Sequence, residues 1–586
     1  MPTADGYERP LSSRRRLSAA RSLPGLTTLR GYERPWLRGD LLAGVTVAAY
    51  LVPQVMAYAQ IAGLPPATGL LAIVGPTLLY AVLGSSRQLS VGPESTTALM
   101  TATAVAALGV SGPDEYAALA AALAVVTGVL CLVGWLLGLG FLADLLSRPV
   151  LVGYLAGVAV LMVVSQLDTL TGIPVGDGSL PEQVWDVVRG VGDAHGPTVA
   201  LGVTLLVLLL LVSHRWPRLP TPLLAVLLGA AAVAALGLRD VGVETVGALP
   251  TTLPRLTLPD LSPGSVLSML GPALGIAVVA YSDNVLTARA FGDRRGERID
   301  ADQEFLALGA ANIAGGLLSG FPVSSSGSRT AIGDSMGSRT QLASLVTLGT
   351  VLVAVLALAP VIAAFPKAAL GALVVYAAIR LVDVAEIRRV ARFRRSELAL
   401  LVATTLGVFA LGALNGILLA VALSLGDLLR RVARPHDGVL GYVPGIAGMH
   451  DVDDYPEARQ VPGLVVYRYD SPLFFANAED FHRRALAAVD DAQDAVEWLV
   501  LNAEAVVEVD LTSLDALARL HRELDERGVV LALARVKQDL LDDLQAAHLV
   551  EAVGTERIFP TLPTAVEGYL GWHEATHGRP HPFRAG

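Results

Sequence analysis

The chain carries two short polar segments, VGPESTTA at residues 91–98 and FPVSSSGSRT at residues 321–330, each between apolar stretches of membrane-spanning length. Glycine or proline followed by hydroxyl side chains and a charge is typical of a transmembrane helix that is interrupted inside the bilayer. Because transporters place such helices at corresponding positions of two structural repeats, the pair predicts a binding site near the bilayer midplane. The free N–H groups at the start of each half-helix favour an anion there.

The composition around these segments is that of a membrane protein. Hydrophobic residues make up 53% of the 586 residues and charged residues only 16%, with a mean hydropathy of +0.56. Such values argue against a soluble protein. Several charge-free windows approach the roughly 20 residues that cross about 30 Å of hydrocarbon, and we predict them as helices because open strands leave unpaired edges in lipid. The windows are Ala117–Leu137, Val199–Val212, Leu223–Leu238, Leu345–Ala364 and Leu398–Leu411.

A second, soluble domain is predicted to begin near Gly441, where the apolar runs shorten to strand length. Residues 441–586 hold 25 acidic and 12 basic residues, a net charge of −13, whereas residues 1–440 hold 28 and 31, a net charge of +3. This balance argues against a nucleic-acid partner. Strands are predicted at Leu464–Tyr469, Trp498–Leu501 and Val529–Ala534, and amphipathic helices at Ala478–Val489, Ser513–Glu526 and Lys537–Leu549. The alternation indicates an α/β layer, with Thr512 as the cap of the second helix.

Basic residues indicate how the chain is oriented in the membrane. Threading about fourteen segments with the N-terminus inside places the basic clusters in the cytoplasm, and the even number of crossings returns the C-terminal domain there. The clusters are Arg14–Arg16, Arg21, Arg30, Arg34, Arg38, Arg294-Arg295, Arg388-Arg389 and Arg392–Arg395. We therefore predict a cytoplasmic leader at residues 1–38, a transmembrane domain at 39–435, a cytoplasmic domain at 441–575 and a tail at 576–586.

Cysteine and histidine residues bear on metal binding. Cys131 is the single cysteine, which excludes a disulfide within the chain and a multi-Cys zinc site. The segment from His573 to His577, HEATH, matches the zinc-protease pattern, in which two ligands and a general base share a helix face. We interpret it as a chance match, because Gly578 and Pro580 follow at once and the short segment beyond is not expected to supply a third ligand.

Several longer motifs occur in a recognisable order. They are PQVMAYA at residues 53–59, AGLPP at 62–66, GSSR at 84–87, SRPVLVGY at 147–154, LTARAF at 286–291 and GAANIAGG at 309–316. Through these motifs the chain resembles the SulP sulfate permeases, from about Trp36 to Leu570. The resemblance implies a transporter in the cell membrane and not an enzyme. It also implies a seven-plus-seven inverted repeat with core and gate domains, elevator-like alternating access, and a cytoplasmic STAS domain that serves homodimer contacts and can bind a regulatory protein.

The resemblance assigns an anion-binding role to residues on two helices. Gln54 and Tyr58 lie four residues apart, on the helix face that lines the anion site in the family. The amide can donate to an oxyanion, and the tyrosine supplies an aromatic wall and a hydroxyl. A simple helix–helix hydrogen bond is the alternative role for this pair.

The second group of site residues matches the family's second broken helix, where hydroxyls and N–H groups contact the anion. It consists of Ser326, Gly327, Ser328 and Arg329. Serines in a transmembrane helix often only bond back to the preceding turn, which is the alternative here. A charge near the membrane centre costs about 2.5–3.5 kcal/mol even on insertion scales, so Arg329 needs a functional role or a partner.

Asp283 occupies the position of the family's acidic residue on the eighth helix, and Thr287 follows one turn later. In sodium-coupled relatives such a pair holds the ion, and Ser325, Ser326 and Gly327 can complete the oxygen ligands that hard cations prefer. In proton-coupled relatives the same carboxyl group titrates instead. An Asp283 paired structurally with a nearby arginine is the third alternative.

Glu94 departs from the uncharged or aromatic residue that the family usually carries beside the anion. A fixed carboxylate would repel the anion, whereas burial and an approaching negative charge would both favour its protonated form. Glu94 therefore suggests that proton uptake and anion uptake are coupled. A structural carboxylate that caps the first broken helix is the alternative.

The resemblance implies sulfate as the substrate, and Glu94 favours a proton as the coupling ion. We therefore predict proton-coupled sulfate uptake without a cofactor other than the coupling ion, H⁺ or Na⁺. Sodium- or proton-coupled transport of bicarbonate or a dicarboxylate is the alternative function. An intramembrane carboxylate protease is disfavoured, because its Gly-x-Gly-Asp signature occurs only in the polar loop at Gly190–Asp193. A signalling receptor with a membrane anchor would not need polar residues at midplane depth.

Overall fold

Two compact units make up the chain, Met1–Ser424 and Leu425–Gly586. The structure, a computed structural model, describes residues 23–109, 112–141, 147–174, 180–216, 219–247, 256–259 and 263–585. Residues 1–22 of the predicted leader, with Arg14–Arg16 and Arg21, lie outside the described residues, as does Gly586.

In its described residues the first unit is built from helices and two short strands, and its last helix continues past Ser424 into the second unit. Its helices are α1 (Pro24–Arg30), α2 (Leu37–Ile61), α3 (Pro66–Leu71), α4 (Val74–Leu83), α5 (Ser95–Ala106), α6 (Pro113–Leu137), α7 (Arg148–Val164), α8 (Leu167–Thr171), α9 (Leu180–Arg189), α10 (Gly196–Arg215), α11 (Thr221–Ala235), α12 (Pro263–Gly292), α13 (Ala301–Leu317), α14 (Gly327–Ser335), α15 (Leu342–Ala357), α16 (Ala359–Ala363), α17 (Lys367–Leu381), α18 (Val384–Phe393) and α19 (Arg395–Ala433). The strands are β1 (Val91–Gly92) and β2 (Ser324–Ser325). Helix α19 is interrupted at Gly412, whose φ of 80° only glycine adopts without strain.

Many of these helices have the length and apolar composition that a membrane crossing requires. Among the described residues, eight segments qualify: Arg34–Ile61, Pro66–Leu83, Pro113–Leu137, Arg148–Thr171, Gly196–Arg215, Pro263–Arg295, Lys367–Phe393 and Arg395–Ala413. Two shorter apolar helices, Thr221–Ala235 and Leu342–Ala357, accompany them. The total of about fourteen crossings stays a prediction.

Glycines let α6 and α13 approach each other closely. A Cβ atom added at Gly128 would lie 2.6 Å from the carbonyl oxygen of Gly309, and one added at Gly316 would lie 2.5 Å from that of Ala121. Small residues at such an interface bring two backbones into van der Waals contact, which drives helix association in lipid. Helix α13 also packs against α4, which contacts β1, and α6 packs against α12, which contacts β2. The α6–α13 pair thus supports both interrupted segments.

The second unit is a mixed six-stranded sheet covered by helices on both faces. Its strands are β3 (Asp437–Tyr442), β4 (Met449–Asp451), β5 (Leu464–Tyr469), β6 (Trp498–Asn502), β7 (Val530–Ala534) and β8 (Ile558–Phe559), in the order β4-β3-β5-β6-β7-β8. Strands β5 to β8 are parallel, and β3 pairs antiparallel with β4 and β5. The helices are α20 (Ala478–Asp490), α21 (Leu511–Glu526), α22 (Gln538–Ala546), α23 (Leu549–Val553) and α24 (Leu562–His577).

Alternate residues of each strand face different helices. Val465 and Tyr467 of β5 share a core with Phe481 of α20, whereas Leu464 and Val466 share one with α24. Because side chains alternate between two buried faces, every position of such a strand is apolar. This explains why the buried parallel strands are continuous apolar runs in the sequence.

The predicted strands and the first two predicted helices of this domain are confirmed to within two residues. The third predicted helix is divided into α22 and α23 at His548, whose φ is 57°. The prediction that Thr512 caps the second helix is wrong. Helix α21 begins two residues earlier than predicted, at Leu511, and Asp510 accepts the capping hydrogen bond from the N–H of Ser513 at 2.9 Å. An aspartate carboxylate is a strong N-cap acceptor, which explains why the helix starts there.

Candidate anion site

The two polar segments of the first unit meet as a short pair of antiparallel strands. Strand β1 pairs antiparallel with β2, with Val91 opposite Ser325 and Gly92 opposite Ser324. The N–H of Ser326 extends the pairing by donating to the carbonyl oxygen of Ser90 at 2.9 Å. Helix α5 begins three residues after β1 and α14 two residues after β2. The N-termini of two helices, which are the positive ends of the helix dipoles, therefore lie on either side of the β1–β2 strand pair.

Glu94 closes the start of α5. Its carboxylate accepts hydrogen bonds from the N–H of Thr96 at 2.7 Å and from the hydroxyl of Ser95. The hydroxyl of Thr97 bonds back to the carbonyl oxygen of Glu94 at 3.2 Å. This is the contact that the capping alternative for Glu94 requires, because a carboxylate at N-cap satisfies an otherwise free N–H.

The start of α14 is more open than that of α5. Ser326 is its N-cap and only weakly engages the N–H of Arg329, at 3.5 Å, while its hydroxyl lies 3.2 Å from that of Ser328. Ser326 is buried, but Gly327 and Ser328 are exposed. The first N–H groups of a helix have no acceptor inside the helix. The accessible donors for an anion therefore lie at Gly327 and Ser328.

Arg329 connects the two interrupted segments. Its side chain is fully buried, with Nη1 donating to the carbonyl oxygen of Pro93 at 3.0 Å and Nε donating to the hydroxyl of Ser90 at 3.2 Å. Within the described part of the chain its Nη2 atom has no hydrogen-bond partner. The guanidinium interacts electrostatically with Glu94, Asp283 and the hydroxyl of Tyr58. A buried donor without a partner needs an acceptor, which a bound anion would supply.

Asp283, on α12, lies against β2. It accepts hydrogen bonds from the hydroxyls of Ser325 at 3.0 Å and Ser324 at 3.4 Å. Counting only described residues, it forms no salt bridge with an arginine, so the structure does not have the ion pair of the third alternative. The methyl group of Thr287 faces Gly327, where an added Cβ would lie 3.9 Å away. The residues of the possible sodium site therefore surround one end of α14.

Gln54 and Tyr58 present the same face of α2 to this region. Both are buried, with exposures of 9% and 5%, and the Oε1 atom of Gln54 has no partner among the residues described. The Tyr58 hydroxyl lies near the side chain of Ser95, at the start of α5. Their position beside the first half-helix agrees with either predicted role, a ligand contact or a helix–helix bond.

Three polar residues with defined contacts in the first unit were not identified from the sequence. Ser90 and Ser324 contact Arg329 and Asp283, but isolated serines carry no distinctive signal. Glu304 is fully buried on α13 and accepts hydrogen bonds from the Tyr80 hydroxyl at 2.8 Å and the Ser85 N–H at 2.9 Å. An acidic residue at the start of an apolar helix could have been flagged by the cost of burying its charge.

Comparison with known proteins gives the family. The family model described as "Sulfate permease family" matches residues 37–404, and the STAS domain model matches residues 455–565. A Mycobacterium tuberculosis protein described as a probable sulfate transporter is 55% identical over 94% of this chain and 99% of its own length. Probable sulfate transporter 4.2 of Arabidopsis thaliana is 32% identical over 93% of this chain and 83% of its own.

Solved structures share the fold. The murine Solute Carrier 26 family member A9 anion transporter, in the inward-facing state, has a TM-score of 0.86 at 24% identity and covers 96% of both chains. The transmembrane domain of the cyanobacterial bicarbonate transporter BicA has a TM-score of 0.60 at 21% identity and covers 67% of this chain and 99% of that one. These matches confirm the resemblance, the helical membrane fold and the STAS domain, and they make the protein a transporter and not an enzyme. The chain belongs to the sulfate permease family and has a C-terminal STAS domain.

Proposed function

We propose that this protein is a secondary active transporter that takes up sulfate together with protons across the cell membrane, by elevator-like alternating access. The observation that carries the proposal is the antiparallel pairing of β1 with β2, which brings two helix N-termini and the buried guanidinium of Arg329 to one place. Backbone N–H groups, serine hydroxyls and a guanidinium together form a donor-rich site that suits an oxyanion. The bound anion would contact Ser328, Gly327, Gln54 and Tyr58.

Sulfate is favoured over bicarbonate by the relatives. The Mycobacterium tuberculosis protein that is 55% identical is described as a probable sulfate transporter. The likeness to the bicarbonate transporter concerns the fold at 21% identity and says nothing about the substrate. Bicarbonate and dicarboxylates stay the alternative substrates, because they need the same kinds of donor.

Proton coupling is supported by the competition between Glu94 and the anion. In the structure the carboxylate holds the N–H of Thr96, one of the donors that an anion at α5 would use. A protonated Glu94 is a weaker acceptor and carries no charge, so proton uptake would release this donor and remove a repulsion of the anion. Asp283, which interacts electrostatically with Glu94, is a second group that can take part in the coupling. In the alternative, Asp283, Thr287, Ser325, Ser326 and Gly327 hold sodium.

The assembly and orientation are proposed with the transport activity. We infer a homodimer, with the N-terminus and the STAS domain in the cytoplasm and the STAS domain open to a regulatory protein partner. The support is the family membership and the basic clusters in short connections, such as Arg294-Arg295 and Arg388-Arg389, which favour the cytoplasmic side.

Radiolabelled sulfate uptake into proteoliposomes of the purified protein tests the function. With an inward proton gradient and no sodium, we expect accumulation above that of empty vesicles and its collapse when a protonophore is added. Ser328→Ala, at the open end of α14, should raise the KM for sulfate several-fold, whereas Ser335→Ala, an exposed serine at the other end of the same helix, should not. No uptake of sulfate, together with uptake of bicarbonate or a dicarboxylate, would overturn the substrate. Uptake that requires sodium would overturn the coupling.

A further inference from the structure

A cluster of metal-ligand side chains lies in the second unit, away from the anion site. His573 and His577, four residues apart on α24, share one face of the helix, and both contact Glu497, which directly precedes β6. The Nδ1 atom of His573 lies 2.9 Å from Oε2 of Glu497, and Nε2 of His577 lies 2.8 Å from Oε1. The fold thus brings a third potential ligand to the histidine pair, from a position 76 residues earlier than His573.

The sheet holds Glu497 in place opposite α24. Its N–H donates to the carbonyl oxygen of Gly463 at 2.8 Å, which ties it to the residue before β5. The neighbouring Trp498 packs against Trp572 of α24, with ring centroids 5.7 Å apart. This packing sets the distance between the strand end and the helix. The three side chains thus meet because of tertiary packing and not because of one local motif.

We propose that Glu497, His573 and His577 bind one divalent transition-metal ion, with Zn²⁺ as the best-matched candidate. The three ligand atoms lie within 4.8 Å of one another. Around a tetrahedral Zn²⁺ with bonds of about 2.0–2.2 Å, ligand atoms lie roughly 3.3 Å apart. The two histidine–carboxylate distances, 2.9 and 2.8 Å, would therefore open by about half an ångström, and any wider pair of ligand atoms, up to 4.8 Å apart, would close towards that spacing. Two imidazoles and one carboxylate form a common zinc ligand set, in which water takes the fourth position.

The exposure of the cluster allows an ion to enter from solvent. The side chain of His577 is 38% exposed and that of Glu497 is 26% exposed, whereas His573 is nearly buried at 11%. One ligand is therefore fixed by packing and two lie at the surface. Such a site can fill in the folded protein.

Neighbouring groups support the carboxylate and limit the ligand set. The hydroxyl of Tyr569 lies 2.9 Å from Oε2 of Glu497, a second-sphere contact that orients a metal-binding carboxylate. His581 packs edge-on against His573, but its Nε2 atom contacts the carbonyl oxygen of Pro462 and its Nδ1 atom accepts from the N–H of Phe583. His581 is therefore a neighbour and not a ligand.

The site differs from that of a zinc protease in the role of its glutamate. Glu574, the residue that would act as the general base of the motif, pairs with Arg584 at 3.2 Å. The third ligand comes from the sheet, so the ion would cross-link α24 to the start of β6. A bound ion would thus stabilise the last helix of the STAS domain against the sheet, without any catalytic step.

Metal binding is tested on the full-length protein, purified in detergent without a histidine tag and freed of metal with a chelator. Titration with ZnCl₂ by calorimetry, with elemental analysis after gel filtration, should give one tightly bound ion per chain. His573→Ala, His577→Ala and Glu497→Gln should each weaken binding at least tenfold. His548→Ala removes a histidine of an exposed His–Glu pair elsewhere in the same domain, 3.2 Å from Glu551, and should bind as the unchanged protein does.

A measurement on the unchanged protein guards against variants that fail to fold. Co²⁺ in place of Zn²⁺ should give the intense visible absorption of a four-coordinate ion at one equivalent. The proposal is overturned if the unchanged protein binds no stoichiometric Zn²⁺ or gives only the weak spectrum of hydrated Co²⁺. It is equally overturned if His548→Ala reduces binding as much as His573→Ala does.

Discussion

The carboxylate of Glu94 accepts a hydrogen bond from the N–H of Thr96 at 2.7 Å, so the protein's own acid occupies the N-terminus of α5. The corresponding end of α14 has no acidic cap, and its first residues are exposed. The two half-helices are therefore unequal in their availability to an anion. This asymmetry is the basis of the proposal that Glu94 competes with the anion.

Replacing Glu94 with glutamine should remove most of the pH dependence of sulfate uptake. The amide oxygen can still cap Thr96, so the helix start is retained, but the side chain no longer titrates. In the unchanged protein uptake should fall as the external pH rises, because fewer protons are then available to accompany the anion. Initial rates at several external pH values measure this effect, with Asp240→Asn on an exposed loop as the control. A pH profile in Glu94→Gln that matches the unchanged protein contradicts the coupling role.

Arg329→Lys should lower sulfate uptake at least tenfold. A lysine keeps the charge but cannot donate to both the Pro93 carbonyl oxygen and the Ser90 hydroxyl, which lie on the segment before α5. A hydrogen bond to a charged group contributes about 1.5–3 kcal/mol, and a tenfold loss corresponds to about 1.4 kcal/mol.

The measurement for Arg329 is the initial uptake rate per amount of protein that elutes as a single species on size exclusion. Arg339→Lys, at an exposed position ten residues later, serves as the matched control. Uptake within twofold of the unchanged protein in Arg329→Lys would show that the bridge between the two segments is dispensable.

Sodium should have no effect on uptake if protons are the coupling ion. Replacing sodium with a large organic cation should leave the rate unchanged, and Thr287→Ala should stay within twofold of the unchanged protein. The methyl group of Thr287, and not its hydroxyl, lies near Gly327, so removing the hydroxyl should disturb little at the start of α14. If uptake depends on sodium and the half-saturating sodium concentration is higher in Thr287→Ala, the oxygen atoms around Asp283 would be favoured as a sodium site.

Gly128→Ala should destabilise the first unit by about 1–3 kcal/mol, because its new Cβ would lie 2.6 Å from the backbone oxygen of Gly309. A backbone atom cannot move aside as a flexible side chain can. Gly349→Ala is the control, since an added Cβ meets nothing within 4 Å on α15. Thermal unfolding in detergent compares the two. Equal stability of both variants would contradict the importance of the close α6–α13 approach.

Asp510→Ala should lower the free energy of unfolding of the STAS domain by about 1 kcal/mol through loss of the α21 cap, whereas Asp510→Asn should cost less. Partial burial disfavours the charged form, but hydrogen bonds from the N–H groups of Ser513 and Phe475 outweigh it and lower the pKa of Asp510. A lowered pKa means that this stabilisation is present above the ordinary pKa and is lost as the pH falls through the folded-state value. Hydrogen exchange of α21 at neutral and acidic pH measures the effect. Equal protection in Asp510→Ala and the unchanged protein at neutral pH would contradict it.

Local sequence patterns were sufficient for the family, the helical membrane unit, the two interrupted helices and most elements of the STAS domain. Each depends on residues only a few positions apart: a glycine or proline beside serines in an apolar run, or an alternation of period two. The prediction at Thr512 was wrong because Asp510, two residues earlier, is the better acceptor for the first N–H groups of the helix.

By itself, the sequence determined where the helices break and which residues line the breaks, because backbone preference and the cost of unpaired groups in lipid act within a few residues. Only the tertiary structure decided that Arg329 donates to Pro93, 236 residues away, that Asp283 accepts from Ser325, and that Glu497 joins His573 and His577. These contacts depend on how distant elements pack and in which register their strands pair. Such geometry is a property of the whole fold, since no single segment contains both partners.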